Sequence, residues 1–263
     1  MKRVVFNQKG GVGKTSITCN LAAIDAASGL RSLVIDLDVQ GNTTHYLVGE
    51  IDAEAFPAEA QGVSGLFKQT VGPRRMSRNP DAFVWETPWE NLYLMPSSPV
   101  LTELERELEA RYKIYKLRDA LQKLESEYDR IYIDTPPNFN FYSKSALIAA
   151  DRVLIPFDCD SFARQSLYAL MDNIAELRED HNEALAVEGI VINQFNPQAR
   201  LPTELVTELQ QEGYPVLSSY IGSSVKMRES HHQHRPLVDL APSHKLTRQF
   251  VDLREELEGR QVR

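Results

Sequence analysis

A chain of 263 residues with 42% hydrophobic and 25% charged side chains has enough apolar material for a sizeable core, which excludes a disordered tail or linker. Its formal net charge of −8 excludes a surface coated in basic residues, so any contact with nucleic acid has to come from a local patch. There is no run of 18 apolar residues, and Cys19 and Cys159 form neither a metal spacing nor a disulfide framework, so neither a spanning helix nor a signal peptide is expected and the cytoplasm is the expected location.

The start is dense in chemistry. Val4-Val5-Phe6 reads as a short strand, Gln8-Lys9-Gly10-Gly11-Val12-Gly13-Lys14-Thr15 as a glycine-rich turn, and residues 16–27 as a helix. Strand, turn and helix in that order make a phosphate cradle. Without side chains at Gly10, Gly11 and Gly13, backbone N–H groups can close around a polyphosphate. The helix adds its positive dipole end, Lys14 reaches the β- and γ-phosphates, and the Thr15 hydroxyl holds Mg2+. The usual G-x-x-x-x-G-K-[ST] spacing requires glycine at position 8, where this chain has Gln8 followed by a second lysine, Lys9. A solvated loop lysine is one reading of Lys9; a functional cation inside the loop is the other.

Gly29 reads as the cap that ends the first helix. Leu33-Val34-Ile35-Asp36-Leu37-Asp38 then looks like a buried parallel strand that delivers Asp36 and Asp38, pointing the same way, to the C-terminal sheet edge. Ligands gather at that edge in open α/β sheets, so the pair is placed to serve Mg2+ and an attacking water. Two carboxylates that merely cap the next helix are the bland alternative. Residues 50–91 are hard to read: Gly65-Leu66-Phe67 suggests a short helix, and the basic cluster at 74–78 is either a solvated surface or a contact to DNA or a partner.

Residues 91–96 read as a strand. Thr102 with Glu105 signals a capping box, and Leu104, Leu108, Leu117, Leu121 and Leu124 predict one long crossover helix over residues 103–128. Ile131-Tyr132-Ile133-Asp134 followed by Thr135-Pro136-Pro137 is an apolar strand that ends in a carboxylate able to hold Mg2+, stopped by two prolines. Further βα alternation predicts helix at 143–150, strand at 152–156, helix at 161–179 and strand at 188–195, the last ending near Asn193. A helix at 202–213, a short strand at 216–221 and an amphipathic helix at 245–257 finish the chain. His231, His232 and His234 invite a metal reading, but adjacent positions splay apart and no cysteine or carboxylate completes a set. The predicted fold is α/β, a mostly parallel twisted sheet with helices on both faces, in one domain spanning residues 1–263.

KGGVGKT at 9–15, DLDVQGN at 36–42 and DTPP at 134–137 together resemble the deviant Walker A ATPases of the ParA/MinD superfamily. The resemblance covers nearly the whole chain. It implies ATP and Mg2+ as ligands, bound by Lys9, Gly10, Gly11, Val12, Gly13, Lys14, Thr15 and Ser16, with Thr15, Asp36 and Asp134 on the metal side. It further implies that Lys9 crosses a homodimer interface to the partner's nucleotide, that Lys14 and Asp38 join it in catalysis, and that Asp38 positions the hydrolytic water. Asn193 is implied as an adenine contact, with a turn-forming role as its alternative.

The ParA branch implies an ATP-dependent sandwich dimer that binds nucleoid DNA without sequence preference and positions plasmid, chromosomal or protein cargo. A ParB-like or other adaptor would stimulate its ATP hydrolysis. Because the first strand begins at once, the short form without an N-terminal helix-turn-helix domain is expected. Segments 197–201 and 221–236 depart from the ParA pattern and lose basic positions, which leaves Arg200, Lys226 and Arg228 as DNA candidates.

A MinD-like membrane-cycling ATPase is the alternative. It would need a detachable basic amphipathic C-terminal helix, and the helix here carries Asp252, Glu255, Glu256 and Glu258. A ligase of metabolism has no signal beyond the P-loop, and an iron–sulfur reductase would need bridging cysteines.

Overall fold

The computed structural model describes residues 1–49, 62–71, 78–159, 163–196, 198 and 200–261. In chain order, β1 (Lys2–Val5), α1 (Lys14–Ala27), β2 (Ser32–Asp36) and α2 (Asn42–Val48) are followed by α3 (Gly62–Val71), β3 (Trp85–Glu86) and β4 (Leu92–Met95). Then come α4 (Leu101–Ala110), α5 (Lys116–Leu124), β5 (Arg130–Asp134), α6 (Phe141–Ala149), β6 (Arg152–Phe157), α7 (Ala163–His181) and β7 (Ala186–Ile192). The last helices are α8 (Arg200–Gln211), α9 (Val225–His232), α10 (Leu237–Leu240) and α11 (Lys245–Gln261).

The strands form one sheet in the order β3-β4-β2-β5-β1-β6-β7, parallel throughout except for the edge pair β3–β4. Each central strand sends alternate side chains to opposite faces, as extended backbone must. Val4, Leu33, Ile35, Ile131, Ile133, Val153 and Ile155 join the core under α3 to α8. Val5, Val34, Tyr132 and Leu154 join the core under α1, α10 and α11. Both faces are covered, which is why these strands read as continuous apolar runs rather than alternating ones. The sheet is therefore the expected α/β arrangement.

Parallel strands put all their C-terminal ends on one edge. β1 leads into the glycine-rich turn there, β2 and β5 place Asp36 opposite Asp134 in register, and β7 ends just before Asn193. At the opposite edge lies a buried ionic network. Glu188 is bound by Arg3 through Nε at 2.5 Å and Nη2 at 2.7 Å, while Asp25 of α1 accepts Tyr132 Oη at 2.7 Å and Arg254 Nε of α11 at 2.8 Å.

Several sequence expectations need correction. The helix predicted over 103–128 is two helices, α4 and α5, separated by a turn in which Tyr112 takes φ 54° and Lys113 N–H donates to the Leu108 carbonyl at 3.0 Å. The phase explains it: from Leu108 to Leu117 is about two and a half turns, so a straight helix would put the two leucine sets on opposite faces. The capping box at Thr102 and Glu105 is not formed. Val100 caps α4 without a side-chain bond, and Glu105 instead accepts the Phe141 amide at 3.3 Å. A true capping box stands at Asn140 and Ser143, at the start of α6.

The strand predicted at 216–221 reduces to isolated bridges, Ile190 with Val216 and Phe195 with Gly222. The Glu256 carboxylate takes the Ser218 and Ser219 amides, at 2.9 and 2.8 Å, and removes them from the ladder. β2 stops at Asp36, so Asp38 is not a strand residue. The basic cluster at 74–78 lies outside the described residues except for Arg78.

Candidate nucleotide site

The glycine-rich turn is held open by its neighbours. Asn7 anchors the base of the loop by donating from Nδ2 to the Pro156 carbonyl at 2.7 Å and accepting the Lys9 amide at 2.9 Å. Gly11 and Gly13 sit at φ 75° and 93°, a region that L side chains rarely adopt. The Asn193 amide lies so close to Gly13 that a Cβ there would meet its Nδ2 at 2.1 Å. Asn193 donates to the Val12 carbonyl at 2.8 Å and Gln194 to the Gly11 carbonyl at 3.0 Å, so the loop after β7 braces the cradle from outside. Inside α1 the Ile17 amide bonds to Gly13 O at 2.9 Å. The earlier amides, of Lys14, Thr15 and Ser16, belong to the turn in which a helix has no carbonyls to offer.

Lys14 is folded inward, 7% exposed, with Nζ donating to the Lys9 carbonyl at 3.0 Å. Burial pushes its pKa down, against the attraction of Asp134 and Asp38. Asp134 is fully buried, and both Thr15 and Thr43 donate to its Oδ2, at 2.7 and 2.6 Å. Burial drives the Asp134 carboxyl up, opposed first by those two hydroxyls. Asp36 is also fully buried and raised, by burial and then by the charge of Asp134. Its Oδ2 accepts the Thr44 amide at 2.8 Å and hydroxyl at 2.7 Å, and its Oδ1 accepts the Asp38 amide at 3.1 Å.

The two aspartates expected to work side by side thus divide. Asp36 is engaged in pinning α2. Asp38, past the strand end, borders a cavity of about 480 Å3 that is also lined by Gly10, Gly13, Lys14, Thr15 and Asn42. Asp38 is fixed by two neighbours: Oδ1 takes the Gln40 amide at 3.0 Å, and Ser97 Oγ donates to its carbonyl at 2.6 Å.

Glycines, helix-start amides and a buried lysine make a donor set for an anion on one side of this cavity, and Thr15, backed by the buried Asp134 carboxylate, offers oxygens for a cation beside it, so the residues present fit a Mg2+-bound polyphosphate. Hard oxygen donors suit Mg2+, and Thr15 and Asp134 are the pair poised for it.

Sequence reasoning missed the place of two residues on the outer wall, His45 and His231. His231 shares a 2.8 Å hydrogen bond with Ser16 Oγ and stacks on Tyr46, with centroids 4.1 Å apart. His45 lines the same cavity and meets His234 edge-on at 4.4 Å. Among the described residues no group of three or more His, Cys, Asp or Glu side chains is arranged to hold a metal ion. The histidine run was visible as a signal, but its target, across the chain at Ser16, was not.

The DNA candidates are less uniform than expected. Arg200 opens α8. Lys226 is ion-paired with Glu229, and Arg228, exposed, borders a smaller cavity with Gly11, Gly13, Ser16 and Asn193. Lys226 therefore offers less positive charge than its sequence suggests, because a carboxylate one turn along neutralises it. Among the described residues no helix is long and apolar enough to cross a membrane.

Residues 2–187 match the family described as AAA domain. A chromosome partitioning protein ParA from Myxococcus xanthus is 31% identical over 239 residues, which cover 89% of this chain and 79% of that protein. Among solved structures, apo McdA from Cyanothece has a TM-score of 0.84 at 22% identity, covering 97% of this chain and 98% of its own, a likeness of fold. A cobyrinic acid a,c-diamide synthase from Mycobacterium smegmatis, solved with an ATP analogue and magnesium, has a TM-score of 0.75 at 25% identity over 93% of this chain and 97% of its own.

Proposed function

We propose, on the premise that this chain belongs to the ParA family of partitioning ATPases, that residues 1–263 form one ATPase domain that closes into a homodimer around ATP, binds nucleoid DNA without sequence preference and positions a cargo. The observation that carries this reading is one cavity lined by the loop glycines, a buried Lys14, Thr15 and Asp38, with Asp134 and Thr43 buried directly behind the Thr15 hydroxyl.

Lys14 and the first-turn amides of α1 hold the phosphates, while Lys9 reaches across to the partner's nucleotide, where its charge favours closure only when triphosphate is present. Thr15 and Asp134 hold Mg2+, which when bound screens the phosphate charge. Asp38 orients the attacking water. Asp36 serves the site by fixing α2 and the Asp38 amide. Asn193 braces Val12 and stands beside the cavity where a base would lie. A cargo adaptor of ParB-like role raises turnover, and the cycle plays out on the nucleoid in the cytoplasm.

Asp38→Ala tests the core of this reading. It is expected to bind ATP, to lose turnover and to elute as a dimer with ATP but not with ADP. Removing a water-positioning carboxylate raises the chemical barrier and leaves the phosphate contacts in place. Turnover at the wild-type rate would falsify the role of Asp38. The trapped dimer is expected to shift unrelated duplexes alike at low salt; if it ignores DNA and pellets with anionic vesicles, the membrane-cycling alternative replaces the nucleoid.

A further inference from the structure

α9 runs alongside the phosphate cradle, and Met227, Arg228 and His231 border it. Arg228 and His231, three apart and so on one helix face, border two cavities that share Gly11, Gly13 and Ser16. His231 is the better placed. Its Nε2 is 2.8 Å from the Ser16 hydroxyl in the first turn of α1, and its ring lies nearly parallel to Tyr46, at 16°.

That platform is itself fixed. Tyr46 Oη is bonded by Asn20 Nδ2 at 3.1 Å and by Ser230 Oγ; Asn20 Oδ1 in turn accepts the Leu237 amide at 2.8 Å. An imidazole held by stacking on one side and by a hydroxyl at its edge is aimed, not merely packed. A ring that served packing alone would not need to border the phosphate cavity. Burial, and then the neighbouring His234 and His45, hold its pKa below the usual histidine value.

Resting on the reading of this cavity as the triphosphate site, we propose that His231 is a nucleotide-contacting residue: its Nε2–H, held against the Ser16 hydroxyl in the free chain, donates to the phosphate chain of bound nucleotide and ties α9 to the occupancy of the site. The ligand chemistry is that of a nucleoside di- or triphosphate, an anion offered an N–H donor beside the helix amides.

The test measures binding of a fluorescent ATP analogue with Mg2+ to the full chain and its His231→Ala, His231→Gln and His232→Gln variants. His232 is exposed on the same turn and serves as the control. The expected result is affinity weakened about tenfold or more in His231→Ala, the loss typical of a hydrogen bond to a charged partner. Partial recovery is expected in His231→Gln, whose amide keeps a donor, and no change in His232→Gln. A second measurement does not depend on the variants folding: the His231 ring resonances of the wild-type chain are expected to shift on addition of ADP with Mg2+. Wild-type binding with equal affinity in His231→Ala overturns the inference alone, as do unmoved His231 resonances in a chain that binds ADP. A wild-type chain that binds neither nucleotide overturns the reading of the cavity as well.

Discussion

Gly13 and Asn193 occupy each other's space: the side-chain amide at the end of β7 stands 2.1 Å from where a Cβ on Gly13 would be, and donates to the carbonyl of the preceding residue, Val12, at 2.8 Å. The cradle is thus shaped by a residue 180 positions away as well as by its own glycines.

Gly13→Ala is therefore expected to do two kinds of damage. A non-glycine residue at φ 93° costs on the order of 1–2 kcal/mol, and the new methyl drives Asn193 off Val12. Nucleotide binding is expected to be lost and thermal stability to fall by a few degrees. Adding Asn193→Ala removes the clash but not the strain, so the double variant should recover part of the melting temperature. A double variant no more stable than Gly13→Ala would show that the Asn193 contact is irrelevant.

The two loop lysines should separate cleanly in a binding and sizing experiment. Lys14 is inside the cradle and 7% exposed, so Lys14→Ala is expected to abolish ATP binding. Lys9→Ala should bind ATP with little change yet fail to form the ATP dimer. Equal dimer populations for Lys9→Ala and wild type would remove the cross-subunit role.

Asp134 predicts a trade between stability and binding. Its carboxyl, and that of Asp36 beside it, are pushed above the ordinary carboxylate value by burial. The folded chain then keeps protons that the unfolded chain has already released, so this contribution to stability is complete below about pH 4 and is lost as pH rises through the folded values. In EDTA, Asp134→Asn is expected to melt higher than wild type at pH 8, by about 2–4 °C if the relief is about 1 kcal/mol. Its melting temperature should also decline less between pH 5 and 8. The same variant should lose Mg2+-dependent ATP binding. Identical melting curves at pH 8 would contradict the account of this carboxylate.

For the track, the Lys226–Glu229 pair gives a prediction of unusual sign. If Lys226 contacts phosphates of DNA, Glu229→Gln frees it, and the ATP-trapped dimer should bind duplex DNA severalfold more tightly with a steeper salt dependence, up to about one unit of slope per released charge. Lys226→Glu should weaken binding and flatten the slope. DNA affinity indifferent to both changes would take Lys226 out of the patch.

Much of this protein was legible in its sequence because the decisive chemistry is local. A glycine-rich turn between strand and helix, and a carboxylate at the end of an apolar strand, specify their own surroundings, and parallel connectivity brings such strand ends to one edge without further instruction. Where the sequence misled, the cause was contact between distant segments. Asp36 and Asp38 look equivalent two residues apart, but Thr44 claims Asp36 with an amide and a hydroxyl and leaves Asp38 to the cavity.

The histidine run showed no target until α9 packed beside α1 and set His231 against Ser16, 215 residues earlier. Sequence thus determined the cradle, its lysines and the Asp134 platform, since each depends on residues within one or two turns of chain. Tertiary structure decided which carboxylate is engaged, which glycine is braced and what lines the outer wall, because burial and hydrogen bonding across the sheet edge depend on which helix happens to lie there.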